Sequence, residues 1–208
     1  MGAVLSLSRT DDDNPQRGFS MEGNVHRRTV VLVEGTSDQV ALETLAHRRG
    51  RNLRSEGISI VPIGGAQAIG RFLDRLGPQG LDLRLAGMCD AAEEAHFRRG
   101  LERAGLAADL TRGDMEAHGF YVCVEDLEDE LIRCLGAAAV EQVVDAQGEL
   151  QSFRTLQKQP AWRGRNHEEQ LRRFMGSGGR RKIRYARLLV EALDLGRVPR
   201  PLDGVLAH

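Results

Sequence analysis

The chain has 208 residues, 41% of them hydrophobic and 28% charged, and a formal net charge of −1. This is ordinary globular usage for one domain, or one domain plus an extension, and it excludes a mostly disordered chain and a uniformly basic, histone-like protein. No apolar run approaches the roughly 18 residues of a membrane span, residues 1–20 lack the pattern of a secretory signal, and Cys89, Cys123 and Cys134 contain no CxxC pair, so neither a disulfide framework nor a zinc site is expected and a reduced cytoplasm is the expected setting.

Residues 1–27 are polar and aperiodic, with the acidic triplet Asp11-Asp12-Asp13, and are expected to form a flexible tail. From Thr29 the run TVVLV reads as a buried strand ending at Glu34-Gly35. Thr36 with Gln39 offers a capping box for a helix to about residue 49. Residues 58–63 read as a second strand, closed by Gly64-Gly65, with Pro62 marking a strand end or edge. Ile69, Phe72, Leu73 and Leu76 fall at i, i+3, i+4 and i+7 of a helix. A third strand over 83–88 runs into Cys89-Asp90 and a helix over 93–104, and a fourth over 120–124 runs into Glu125-Asp126-Leu127-Glu128 and another helix. Four β-α repeats predict an α/β fold, a four-stranded parallel sheet flanked by helices, over residues 28–136. Residues 137–208 read as a helical C-terminal extension completing the domain, broken at Gly148, 160–164 and 176–179.

The acidic residues gather at the strand ends: Glu34 after the first, Asp90 after the third, Asp126 and Glu128 after the fourth, with Asp38 in the first turn of the helix after Glu34. Ligands of open parallel sheets bind outside the carboxyl ends of the strands. Carboxylates converging there repel one another, and a hard divalent cation such as Mg²⁺ offsets the repulsion through oxygen ligands. Helix-dipole and capping effects offer a blander account of Asp38, Asp126 and Glu128. They do not account for Glu34, which ends an apolar strand, or for Asp90, which directly follows Gly-Met-Cys.

Val33-Glu34-Gly35-x-x-Asp38, the Asp closing the third strand and the later Asp126-Leu127-Glu128 with a downstream basic segment resemble a TOPRIM domain. The pattern is most similar to the TOPRIM half of OLD-family (overcoming lysogenization defect) nucleases. The resemblance implies a TOPRIM-like fold and Mg²⁺-dependent hydrolysis of DNA phosphodiesters, with Mn²⁺ as an alternative metal and RNA as an open alternative substrate. It makes Glu34 a metal ligand and general base, Asp38 its companion ligand, Asp90 the first Asp of an Asp-x-Asp pair, Asp126 and Glu128 further metal ligands, and Lys182 the lysine that stabilises transition-state charge. One position departs: Ala92 stands where the second Asp would fall, with Glu93 and Glu94 as replacement candidates. The nucleases resembled carry an ATPase domain, for which this sequence has no phosphate-loop motif; the segment from Gly176 to Lys182 lacks the GxxxxGK[ST] spacing. No nucleotide cofactor is therefore expected in this chain, and a separately encoded ATPase is an expected partner.

Arg180, Arg181 and Arg184 form a basic segment that is either a phosphate-contact surface or a solvated helix face. Trp162, the single tryptophan, either stacks on a base or covers a packing seam. The histidines show no ligand spacing, and no membrane contact is expected. The oligomeric state is open, including a homodimer through the C-terminal helices. Two functions stand: a stand-alone metal-dependent nuclease, and a degenerate, non-catalytic TOPRIM domain that binds nucleic acid or an ATPase partner.

Overall fold

The computed structural model describes residues 28–106 and 108–208; the expected tail and its acidic triplet lie outside the described residues. Among these, strands β1 (Thr29–Val33), β2 (Ile58–Pro62), β3 (Arg84–Cys89) and β4 (Phe120–Val122) form one sheet in the order β2-β1-β3-β4, every pair parallel. Val33 stands level with Pro62 and Met88, so the first three strands end on one rim.

Burial on both faces of β1 follows from its composition: every residue of the run is buried. Val31 and Val33 point to one core with Leu42 and Leu45 of α1 (Thr36–Arg48). Val30 and Leu32 point to the other with Ile69 and Leu73 of α2 (Ile69–Leu76) and with Phe97 and Leu101 of α3 (Glu94–Arg103). This is the two-residue alternation of a strand with helices on both sides. Gly87 sits where β3 passes closest to its neighbours; a Cβ there would lie 2.7 Å from the Leu32 carbonyl oxygen and 2.8 Å from the Phe120 ring.

Three local details depart from the sequence expectation. The cap of α1 is Gly35, and the side chain answering it is Asp38, which accepts the Gly35 N–H at 2.9 Å; Gln39 instead reaches Glu43 and the Ile60 carbonyl. β4 stops two residues early because the Val124 N–H donates to the Glu130 carboxylate at 2.7 Å, drawing the chain off the sheet. A short helix, α4 (Arg112–Ala117), precedes β4, started by a Thr111–Asp114 capping box; at six residues it carries too little periodicity to be read from sequence.

After β4 come α5 (Leu127–Leu135), α6 (Ala137–Ala146), α7 (Leu150–Lys158), α8 (His167–Met175), α9 (Gly179–Ala192) and α10 (Arg200–Ala207). They share the core that α1 lines: Leu189 and Val190 of α9 and Leu202 and Val205 of α10 are buried with Leu42 and Leu45. Arg48 at the end of α1 donates to the Val190 and Leu193 carbonyls, both at 2.7 Å, and so ties down the C-terminal end of α9. The helical layer is thereby fixed against the sheet, and it carries Lys182. No helix of the described residues is long and apolar enough to cross a membrane.

Candidate functional site

From β1 the chain moves outward to β2 and then returns to β3 on the opposite side, so the crevice between β1 and β3 is the switch point of the sheet. Glu34 and Asp90 flank it. Glu34 Oε1 accepts the Asp90 N–H at 2.8 Å, joining the two strand ends. The Glu34 carbonyl accepts from Gly64 and Gly65, whose φ angles of 77° and 111° suit glycine, so the turn after β2 closes over the same rim.

The acids here sense one another. Burial raises the Glu34 carboxyl above its ordinary value, opposed by the Asp90 N–H and reinforced by Asp38 and Glu93. Burial also raises Asp38, against the pull of the Gly35 N–H and Lys182. Asp90 is pushed up to about 8, first by burial and then by Glu34 and Asp38. The two glutamates after Ala92 are not equivalent. Glu94 is held by Arg112 at 2.7 Å, whereas Glu93 acts on Glu34. Ala92 itself is exposed.

Across the crevice, Glu128 is 5% exposed, and its Oε2 lies 3.3 Å from Lys182 Nζ, while its Oε1 is buried with no hydrogen-bond partner. Burial raises the Glu128 carboxyl and outweighs the pull of Lys182. Burial alone would lower the Lys182 ammonium, but Glu128, Asp38 and Asp90 together hold it above its ordinary value. Asp126 is engaged differently: Oδ1 caps α5 by accepting the Asp129 N–H, and Oδ2 accepts Arg172 Nε at 2.7 Å.

The basic segment is only partly open. Arg180 is exposed, but Arg181 and Arg184 both pair with Glu149, which also accepts from the Tyr185 hydroxyl at 2.7 Å. Sequence reasoning missed Arg172 and Glu149 as partners of the acidic and basic clusters. Both pairings join segments 32 to 46 positions apart, and no local spacing announces them. It also missed a cleft of about 470 Å³ beside the acids, lined by Asp126, Glu128 and Lys182 together with Trp162, Arg165 and Arg172.

Residues 27–91 match the family model of the overcoming lysogenization defect protein-like TOPRIM domain. The match covers under a third of the chain. It spans Glu34, Asp38 and Asp90; Asp126, Glu128 and Lys182 lie beyond the matched residues. The fold is similar to the C-terminal region of the Burkholderia pseudomallei OLD protein, at 19% identity and a TM-score of 0.65, covering 87% of this chain and 96% of that one. It is likewise similar to the C-terminal region of the Xanthomonas campestris pv. campestris OLD protein, at 22% identity and a TM-score of 0.66, covering 87% and 91%. At these identities the likeness is one of fold. No curated protein matches the sequence.

The acids at this rim fit a divalent cation by donor chemistry: Glu34 and Asp90 are partly desolvated and mutually repelling, and one buried oxygen of Glu128 lacks a partner. As the side chains stand, no group of three or more His, Cys, Asp or Glu among the described residues is close enough to hold an ion.

Proposed function

We propose that this chain is a metal-dependent phosphodiesterase acting on DNA, with Glu34, Asp38 and Asp90 holding Mg²⁺ or Mn²⁺ and Asp126 and Glu128 as further donors. The observation that carries this reading is the approach of Lys182 to within 3.3 Å of Glu128 while its charge also acts on Glu34, Asp38 and Asp90. A cation held there would supply Lewis-acid activation of the scissile phosphate and of a water. Glu34, whose carboxyl burial raises above its ordinary value, accepts the proton of the attacking water. Lys182, kept protonated by its carboxylate neighbours, offsets the charge that builds on the phosphoryl oxygens. Arg180, Arg181 and Arg184 contact backbone phosphates, the latter two on release from Glu149. A separately encoded ATPase partner and a cytoplasmic setting belong to the same reading.

Ala92 and the spacing of the carboxylates favour a second reading, a TOPRIM domain that binds DNA without cutting it. Nicking of supercoiled plasmid in Mg²⁺, Mn²⁺ or EDTA separates the two. The first reading expects metal-dependent nicking that falls by about 10²-fold or more in Glu34→Ala and in Lys182→Ala. Salt-sensitive DNA binding without nicking in either metal would favour the second.

A further inference from the structure

The cleft beside the acids contains features that metal chemistry does not need. Trp162 lines it, half-buried, with the Arg173 guanidinium 5.7 Å over its ring, and Arg165 and Arg172 line it too. A tryptophan recruited only to fill a core would be covered; this one forms part of a cleft wall that also includes Lys182 and Glu128.

The loop bearing Trp162 is built rather than draped. The Trp162 N–H donates to the Gln159 carbonyl at 2.9 Å, and the Arg165 N–H to the Trp162 carbonyl at 3.0 Å. Gln170, only 7% exposed, donates through Nε2 to the carbonyls of Trp162 at 2.8 Å and Arg165 at 3.2 Å. Its own Oε1 accepts Gln157 Nε2 at 2.8 Å, so a part-buried amide pair on α7 and α8 fixes the loop. None of these bonds engages the indole, which meets the Arg173 guanidinium on its ring and otherwise lines the cleft.

We infer that Trp162 is a stacking platform for an unpaired base of single-stranded DNA, with Arg165 and Arg173 taking the adjoining phosphates. The inference deepens the proposed function and rests on it for the identity of the substrate. The volume, about 470 Å³, lies in the range of sites that enclose one small organic group. Aromatic rings bind unpaired bases through their exposed faces, whereas in a duplex those faces are taken by neighbouring bases. The cleft adjoins Lys182, so a base held by Trp162 sets which phosphate of the strand comes nearest to the acids.

Because Trp162 is the chain's single tryptophan, its fluorescence reports on this cleft alone. The protein is titrated with a thymidine 12-mer and with a duplex of equal length, in EDTA and again with Mg²⁺, and affinity is followed in parallel by anisotropy of labelled DNA. The expected result is saturable, salt-sensitive quenching by the single strand and weaker quenching by the duplex. Trp162→Ala loses about five- to a hundredfold in affinity for the single strand, and Trp162→Phe retains most of it. Unchanged fluorescence in both conditions, or equal single-strand affinity in Trp162→Ala of unaltered circular dichroism, overturns the inference even if the plasmid is nicked. Quenching by single strands without nicking upholds the cleft and overturns the nuclease reading instead.

Discussion

Asp90 sits in conflict with its surroundings, because its carboxyl is buried beside Glu34 and Asp38 with Lys182 as the opposing charge. Its pKa is raised to about 8 in the folded chain, against an ordinary value near 3.9 when unfolded. Between those values the folded state holds a proton that the unfolded state has lost, so Asp90 makes the metal-free protein less stable as pH climbs from about 4 to about 8, with no further loss above. Asp90→Asn removes the effect without changing size. In EDTA the variant is expected to melt close to the wild type near pH 5 and higher than it at pH 9, by on the order of 1 kcal/mol once solvent screening is allowed for. Thermal melts at the two pH values check this, and a gap that is constant or shrinks with pH contradicts it. Glu93 adds to the same tension through Glu34, whereas Glu94 is neutralised by Arg112. Of the two candidates to replace the carboxylate missing at Ala92, Glu93 acts on Glu34 directly, while Glu94 is tied to Arg112.

At the scale of elements, the rim depends on β1 and β3 ending side by side, and that depends on Gly87. Its missing Cβ lets β3 lie against the Leu32 carbonyl and the Phe120 ring. Both neighbours are fixed in the sheet or its core, so Gly87→Ala is expected to cost about 1–3 kcal/mol of stability; denaturant unfolding checks this, and a change under 0.5 kcal/mol, within the usual scatter of surface substitutions, contradicts it. The strands and most helices were legible in the sequence because their signals are local: TVVLV between polar flanks, the Ile69–Leu76 spacing, the glycine breaks after Ala146 and Met175. The cap of α1 was misread for an equally local reason. Thr36 and Asp38 compete to answer one helix start, and Asp38 wins by reaching the Gly35 N–H. The same bond shows that the capping and functional accounts of Asp38 are not exclusive, since the side chain that starts the helix also faces Lys182.

At the scale of the whole molecule, the site is assembled from two layers that lie far apart in the chain. Glu34, Asp38 and Asp90 come from the segment that matches the TOPRIM family model, and their order along the chain announced them. Lys182 reaches them only because α9 packs on α1 and Arg48 holds the end of α9. Asp126, Glu128 and Lys182 were each expected from the sequence, but the pairings Lys182–Glu128 and Arg172–Asp126 follow from that packing and have no signature in spacing. The helical layer thus brings a cation, and a cleft bearing Trp162, to a sheet edge that supplies only acids. Whether these acids form a divalent-cation site is tested, without depending on any activity, by Mn²⁺ binding followed by electron paramagnetic resonance. The wild type is expected to bind Mn²⁺ saturably, with Mg²⁺ competing and with binding lost in Glu34→Ala. Free Mn²⁺ undiminished by wild-type protein, or equal binding by Glu34→Ala, would contradict it.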